Sequence, residues 1–236
     1  MYDRHHGDRY DRSLSTTEIA KLIRANIRAL VKAGKLPADW KYSVRTDYFA
    51  GGSAIRVRAT SPRPIMVASS AEQYDMQARG GDPIRHPETG HWVRHYGECH
   101  TVEAAAVYAV LNAEHNAYNY NGSETQVDYF DVNYYGQVNL DTADGVAEAL
   151  TPDERDALAA EVSAAVTERF EVGATYATDP AEVFAIIDRD DRWVMAEGPN
   201  GRTVNHGVRI ANGVEYIETI FGPLRPADRI AQEVLA

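Results

Sequence analysis

Apolar residues recur along this chain at two periods, and each change of period marks an element. After Ser15 or Thr16, Ile19, Leu22, Ile23, Ile27, Leu30 and Val31 fall at the three-to-four spacing of one helical stripe, and Gly34 ends the pattern. Lys21, Arg24, Arg28 and Lys32 repeat at the same spacing on another side of that helix as a basic ridge. Past Pro37 the period drops to two. The run KYSVRTDYFAGGSAIRVRAT reads as two strands around Gly51 and Gly52, a hairpin with a loop longer than two residues. Its alternation gives Tyr42, Val44, Ile55 and Val57 to one face and Arg45, Arg56 and Arg58 to the other.

A third short strand is predicted at Ile65 to Ala68, and the Gly-, Asp- and Pro-rich stretch from Gln77 to Gly90 reads as an exposed loop. HWVRHYGE predicts a further strand. Thr101 followed by Ala104 opens a helix through VEAAAVYAVLNAEHN, built from strong helix formers. From Gln126 to Asp141 the period is two again. It turns Phe130, Val132, Tyr134, Val138 and Leu140 toward a core, with Gly136 at a bend or bulge. Thr151, Pro152 and Asp153 start a helix whose Leu158, Val162, Val166 and Phe170 share one side, stopping near Gly173. The remainder predicts a short helix from Pro180 to Ile187 and strands at Trp193–Ala196, Val208–Ile210 and Val214–Ile220, with turns at GPNG and ANG.

Together these elements predict an α+β fold, an antiparallel sheet with the N-terminal and middle helices packed on it, followed by a helix and a small C-terminal β-rich unit. The expected divisions are a mobile arm over 1–14, a main α+β domain over 15–145, a helix within 146–174 and a small α+β unit over 175–236.

Charge is unevenly spread. Residues 1–68 hold 13 Lys+Arg against 6 Asp+Glu, and residues 69–236 hold 11 against 29, within an overall net charge of −11. Between residues 95 and 154 there are 11 Asp+Glu and no Lys or Arg. Such a one-signed field attracts basic protein surfaces and disfavours indiscriminate nucleic-acid binding by the whole molecule. A single cysteine excludes an internal disulfide and agrees with a reducing compartment. No apolar run approaches the roughly 18 residues that cross a bilayer, and the first residues lack a signal peptide's apolar stretch, so a cytoplasmic protein without a membrane partner is expected.

Two binding surfaces follow from these charges. The basic one comprises Lys21, Arg24, Arg28, Arg45, Arg56 and Arg58, with Tyr48 and Phe49 close by, a composition that suits phosphates and stacked bases. The acidic one comprises Asp128, Asp131, Asp141 and Asp144. Candidate metal ligands are His91, His95 and Cys99, flanked by His86 and His100, and their four-residue spacing would align them on a helix. Trp92, Val93 and Tyr96 argue instead for a strand, which scatters them. No nucleophile–base pair and no phosphate loop accompanies these groups, so neither an enzyme nor a cofactor is expected.

YSVRTDYFAGGSAIRVR at 42–58 and YNYNGSETQVDYFDVNYYGQV at 118–138 resemble the large polyvalent protein associated domain of type 29, over roughly residues 16–141. That resemblance implies a compact α+β module from phages and conjugative elements, acting on host or competitor machinery, with no assigned reaction. The expected function is therefore that of a phage or mobile-element accessory protein. It would bind a host or defence-system protein through its acidic surface, for counter-defence or host takeover, in the cytoplasm of an infected or recipient bacterium. Nucleic-acid binding through the basic helix and hairpin is the first alternative, and a metal-dependent hydrolase the second.

Overall fold

The computed structural model describes residues 5–81, 83–93, 98–122, 131–177, 182–190, 192–219 and 222–229. In chain order the elements begin β1 (His5–His6), α1 (Thr16–Lys32), β2 (Lys41–Phe49), β3 (Gly52–Ser61), α2 (Ser70–Ala78), β4 (Ile84–Arg85) and β5 (Trp92–Val93). Then come α3 (Val102–Asn116), β6 (Tyr120–Asn121), β7 (Val138–Thr142), α4 (Pro152–Ala164), β8 (Thr175–Ala177) and β9 (Val183–Arg189). The last are β10 (Trp193–Glu197), β11 (Thr203–Gly207), β12 (Arg209–Ala211), β13 (Val214–Thr219) and β14 (Gly222–Leu224). The fold is α+β.

Two compact units form, each from two stretches of chain. The first takes residues 1–66 and 100–149, and the second takes 67–99 and 150–236. Residues 67–99 thus leave the main domain to which the sequence pattern gave them. The reason lies in their bonding: Val67 N donates to Cys99 O at 2.6 Å, and Arg155 reaches Val67 O at 2.8 Å and Glu72 at 2.7 Å.

In the first unit, α1 starts as its sequence predicts. Ser15 caps it in a reciprocal box with Glu18, and Gly34 beyond its end adopts φ +69°. Ile19, Ala20, Ile23 and Ile27 are buried against a sheet ordered β2-β3-β7, whose inner positions Ile55, Val57 and Ala59 are fully buried. Removing each such large side chain from water contributes about 1.5–3 kcal/mol. Helix α3 adds the stripe Ala104, Val107, Leu111 and His115, with Thr101 as its cap. His115 satisfies its buried ring by hydrogen bonding through Nε2 to Ile55 O at 3.0 Å.

The hairpin expected at 42–58 forms, with Phe49 paired to Gly52, so its loop is the two residues Ala50 and Gly51 rather than a longer one. The sheet is mixed, not antiparallel: β7 runs parallel to β3, with Val57 opposite Val138 and Thr60 opposite Asp141. Among the described residues of the period-two segment, Val138–Thr142 is regular strand. Tyr135 bridges Ala54 in the same register, and Phe130 and Asp128 lie outside the described residues. At Gly136, φ is +142° and a Cβ would stand 1.8 Å from Ile55 O, so only glycine lets the chain pass there. Ile65–Ala68 contributes isolated bridges at Met66 in place of a third strand.

The expected mobile arm is in part anchored. His5 and His6 pair with Asn121 and Tyr120, Arg9 N donates to Ala117 O at 2.8 Å, and the Arg9 guanidinium meets Glu114 at 2.8 Å.

In the second unit, sheets ordered β11-β10-β9-β8 and β12-β13-β14 enclose Phe170, Tyr176, Phe184, Ile186, Val194, Ile217 and Leu224. Of the helix expected over Pro180–Ile187, Val183–Ile187 belongs to strand β9, whose Phe184 and Ile186 point inward while Val183 and Ala185 are only half-buried, and Pro180 and Ala181 lie outside the described residues. Helix α4 begins at Thr151 as expected but ends at Ala164. Phe170, six residues on, joins the β core instead of the helix stripe. The ANG turn joins β12 to β13, with Asn212 and Gly213 both at positive φ, the geometry of a two-residue hairpin turn.

At the centre of this unit Glu215 is 1% exposed. Arg169 Nη1 donates to it at 3.0 Å, Arg189 donates at 2.9 and 3.0 Å, and Phe170 N donates at 3.0 Å. Both carboxylate oxygens are thereby satisfied, which is what makes a buried charge tolerable.

Candidate functional site

The mixed sheet of the first unit buries one face under α1 and α3 and leaves the other in solvent, and the charges of the hairpin lie on that open face. Arg45 stands opposite Arg56, and Arg58 opposite Ser43. Arg56 Nε lies 2.7 Å from Asp47 Oδ2, and Arg58 Nε lies 3.0 Å from Asp141 Oδ2. The second contact is an ion pair without hydrogen-bond alignment, since Asp141 Oδ2 accepts no hydrogen bond. Two of the three face arginines are therefore matched by aspartates on the same face. Arg45 is exposed and forms no ion pair among the described residues.

The other three basic residues belong to the helical side. Arg24 donates from Nε and Nη2 to Val44 O at 3.1 and 2.7 Å, which fastens α1 to β2 and covers a carbonyl of that edge strand. Arg28 lines a groove of about 440 Å³ beside it, and Lys21 is exposed on α1. The six residues of the basic set thus divide between opposite sides of the sheet. Of the acidic set, Asp141 is paired with Arg58, Asp144 is exposed in the turn after β7, and Asp131 lies at the hairpin end. Asp128 lies outside the described residues. The basic head and the acid-rich middle of the chain fold into one unit holding 13 Lys+Arg and 14 Asp+Glu, whereas the second unit holds 11 and 21.

Aromatic side chains gather where the hairpin ends. Tyr48, Phe49 and Tyr135 are 65%, 50% and 40% exposed, and the Phe49 and Tyr135 rings lie 5.8 Å apart with planes tilted by 49°. Their backbone is held on both sides. Tyr135 N donates to Ser53 O and Ile55 N donates to Tyr135 O, both at 2.8 Å. Hydroxyl pairs at 2.6 Å, Tyr48 with Thr17 and Ser53 with Thr16, fix the hairpin to the start of α1. A Cβ on Gly52 would meet the Tyr135 ring at 3.1 Å, so the bare glycine makes room for that ring. Tyr48, Tyr135, Asp131 and Asn133 line a cleft of about 300 Å³. Tyr134, next in the chain, turns inward and donates its hydroxyl to His115 O, and burial, then Tyr118, raises its pKa. Period-two alternation already put Tyr134 inside and Tyr135 outside. The joining of Tyr135 to Phe49 required the parallel register.

The histidine and cysteine candidates form no metal-holding group among the described residues. Trp92–Val93 is strand, as the aromatic residues implied, and among the described residues no group of three His, Cys, Asp or Glu side chains could hold a metal ion. His86 and His91 stack with ring centroids 5.2 Å apart. Burial, then His86, lowers the His91 pKa. Burial, then Glu98, pushes the Cys99 thiol up to about 11, so at neutral pH it is a protonated, buried filler. His95 lies outside the described residues.

No helix among the described residues is long and apolar enough to cross a membrane. No family model matches this chain, and no curated protein or solved structure matches it.

Proposed function

We propose that this protein works by binding another protein, and that the hairpin end of the first unit is the docking surface. The observation that carries this reading is the exposed trio Tyr48, Phe49 and Tyr135 on a backbone already fixed by hydrogen bonds. Aromatic anchors that lose little conformational freedom on docking dominate protein interfaces. The partner presents a Lys or Arg side chain to the cleft, where Asp131 and the tyrosine rings supply a carboxylate and π-faces. This narrows the acidic surface expected from the sequence to one residue of it.

The resemblance to mobile-element domains supports a host or defence-system protein as the partner, and counter-defence or host takeover in the cytoplasm of a bacterium as the role. Nucleic-acid binding is the weaker reading, because Arg56 and Arg58 already have aspartate partners that phosphates would have to displace. A hydrolase has no supporting constellation among the described residues.

The test is affinity capture from bacterial lysate with the native chain and with a Phe49→Ser/Tyr135→Ser double variant, followed by a binding titration of the captured protein. The expected result is one stoichiometric protein whose affinity falls at least tenfold in the variant. Capture of nucleic acid alone, or a partner held equally by both chains, overturns the proposal.

A further inference from the structure

The second unit is strongly acidic in total, yet it contains a cleft of about 740 Å³ lined by four arginines, Arg85, Arg155, Arg169 and Arg192, against two carboxylates, Asp156 and Glu215. That volume is in the range of sites for small organic ligands and exceeds what a lone ion fills. Two of the arginines already have acidic partners: Arg155 meets Glu72 at 2.7 Å and Arg169 meets Glu215 at 3.0 Å. The other two form no ion pair among the described residues, although the Asp190 carboxylate acts on both through its charge. Arg85 donates from Nε to Gly90 O at 2.7 Å and from Nη2 to Val208 O at 2.6 Å and Arg192 O at 3.2 Å, all neutral carbonyls, and its Nη1 has no partner among the described residues. Arg192 is exposed; among the described residues its guanidinium forms no ion pair and donates no hydrogen bond, while its backbone N donates to Asp190 Oδ1 at 2.6 Å.

Arg85 is half-buried, and burial first, then the like charge of Arg192, lowers its pKa, with Asp190 opposing. A half-buried cation whose hydrogen bonds go to neutral carbonyls, beside a second cation, gains from an anion that reaches both in addition to the Asp190 charge. The fork of Nη hydrogens on each guanidinium matches the oxygens of a phosphate.

The same hairpin supplies an aromatic neighbour. In the β4–β5 pair Arg85 stands directly opposite Trp92, so both side chains project from one face. Trp92 lines the cleft, and Ile84, Pro87 and Ala160 add apolar wall. A dianion-binding pair of arginines beside an indole is complementary to a flat ring carrying a phosphate.

We infer that this cleft binds a phosphorylated small molecule of the nucleoside monophosphate class, with the phosphate on Arg85 and Arg192 and the ring against Trp92. The hairpin end is not involved, so this inference and the docking proposal fail independently.

Isothermal titration of the full chain with AMP, inorganic phosphate and adenosine tests it. AMP is expected to bind at least tenfold more tightly than either of its parts, and to change the tryptophan fluorescence. Arg85 also ties its hairpin to Val208, so the informative variant is Arg192→Gln, whose side chain holds no backbone in place. It should weaken AMP at least tenfold with an unchanged melting temperature. Trp92→Leu should reduce AMP to the affinity of phosphate alone. Absence of AMP binding at millimolar concentration, equal binding of AMP and phosphate, or an unchanged AMP affinity in Arg192→Gln overturns the inference.

Discussion

The two units use the same charged residue types in opposite ways. The first keeps charge at its surface: Ile55, Val57 and Ala59 fill the space under the helices, while Arg56–Asp47 and Arg58–Asp141 sit on the open face with arginine side chains more than half exposed. The second puts charge in its interior, where Glu215 holds Arg169 and Arg189 amid Phe170, Tyr176 and Ile217. Ion pairs in water are worth little and are easily replaced. A buried carboxylate with four donors cannot be removed without stranding its partners. The contrast teaches that counting salt bridges says nothing about stability until their burial is known.

Glu215→Ala breaks that comparison most severely. It should destabilise the second unit by about 3–5 kcal/mol, because two guanidinium groups lose their common carboxylate. Hydrogen exchange read by segment should show lost protection at Phe184–Ile186 and Val194–Ala196, with Ile55–Ala59 retained. Equal loss in both units would refute the contrast.

Acid gives a second, smaller effect. Burial by itself raises the pKa of Glu72, but the Arg155 guanidinium and the Ser69 donors outweigh it and hold the carboxyl at about 2, against an ordinary value of 4.5. The folded state thus releases this proton more readily than the unfolded chain. Its contribution is complete above pH 4.5 and disappears as pH falls toward 2. Allowing for solvent at the pair, about 1 kcal/mol should be lost across that window. Denaturant midpoints of Glu72→Gln should show a shallower slope there than those of the native chain.

The smallest effect sharpens the comparison from the other side. Arg56→Ala and Arg58→Ala should each shift stability by less than about 0.5 kcal/mol. Melting in low and high salt measures this, and a shift beyond 1 kcal/mol would mean that the open face carries structural weight.

Local signals in the chain were readable where one face is buried and the other wet. The hairpin, the caps at Ser15, Thr101 and Thr151, and the inward turn of Tyr134 all follow from period and capping chemistry. Reading VFAII as helix failed because a short apolar run fits either period, and only pairing with β8 and β10 decides for strand. The sequence charge split misled for a different reason. It is a property of chain order, and the fold returns residues 100–149 to the basic head. Neither the Arg169–Glu215–Arg189 triad nor the Arg85–Arg192 pair has any local signature, since each joins residues from separate stretches. The PETG turn after Arg85 was the one usable hint that Ile84–Arg85 faces Trp92–Val93 across a hairpin.

Because each unit is assembled from two separated stretches, neither can finish on the ribosome before a distant part of the chain has been made. Strand β3 waits for β7, some eighty residues later, and Val67–Cys99 waits for everything past Leu150. During that interval the nascent polypeptide carries an unclosed sheet edge next to exposed aromatic rings. Expression of fragments cut at residue 66, 99 or 149 should accordingly give aggregates, whereas the full-length chain closes both halves together.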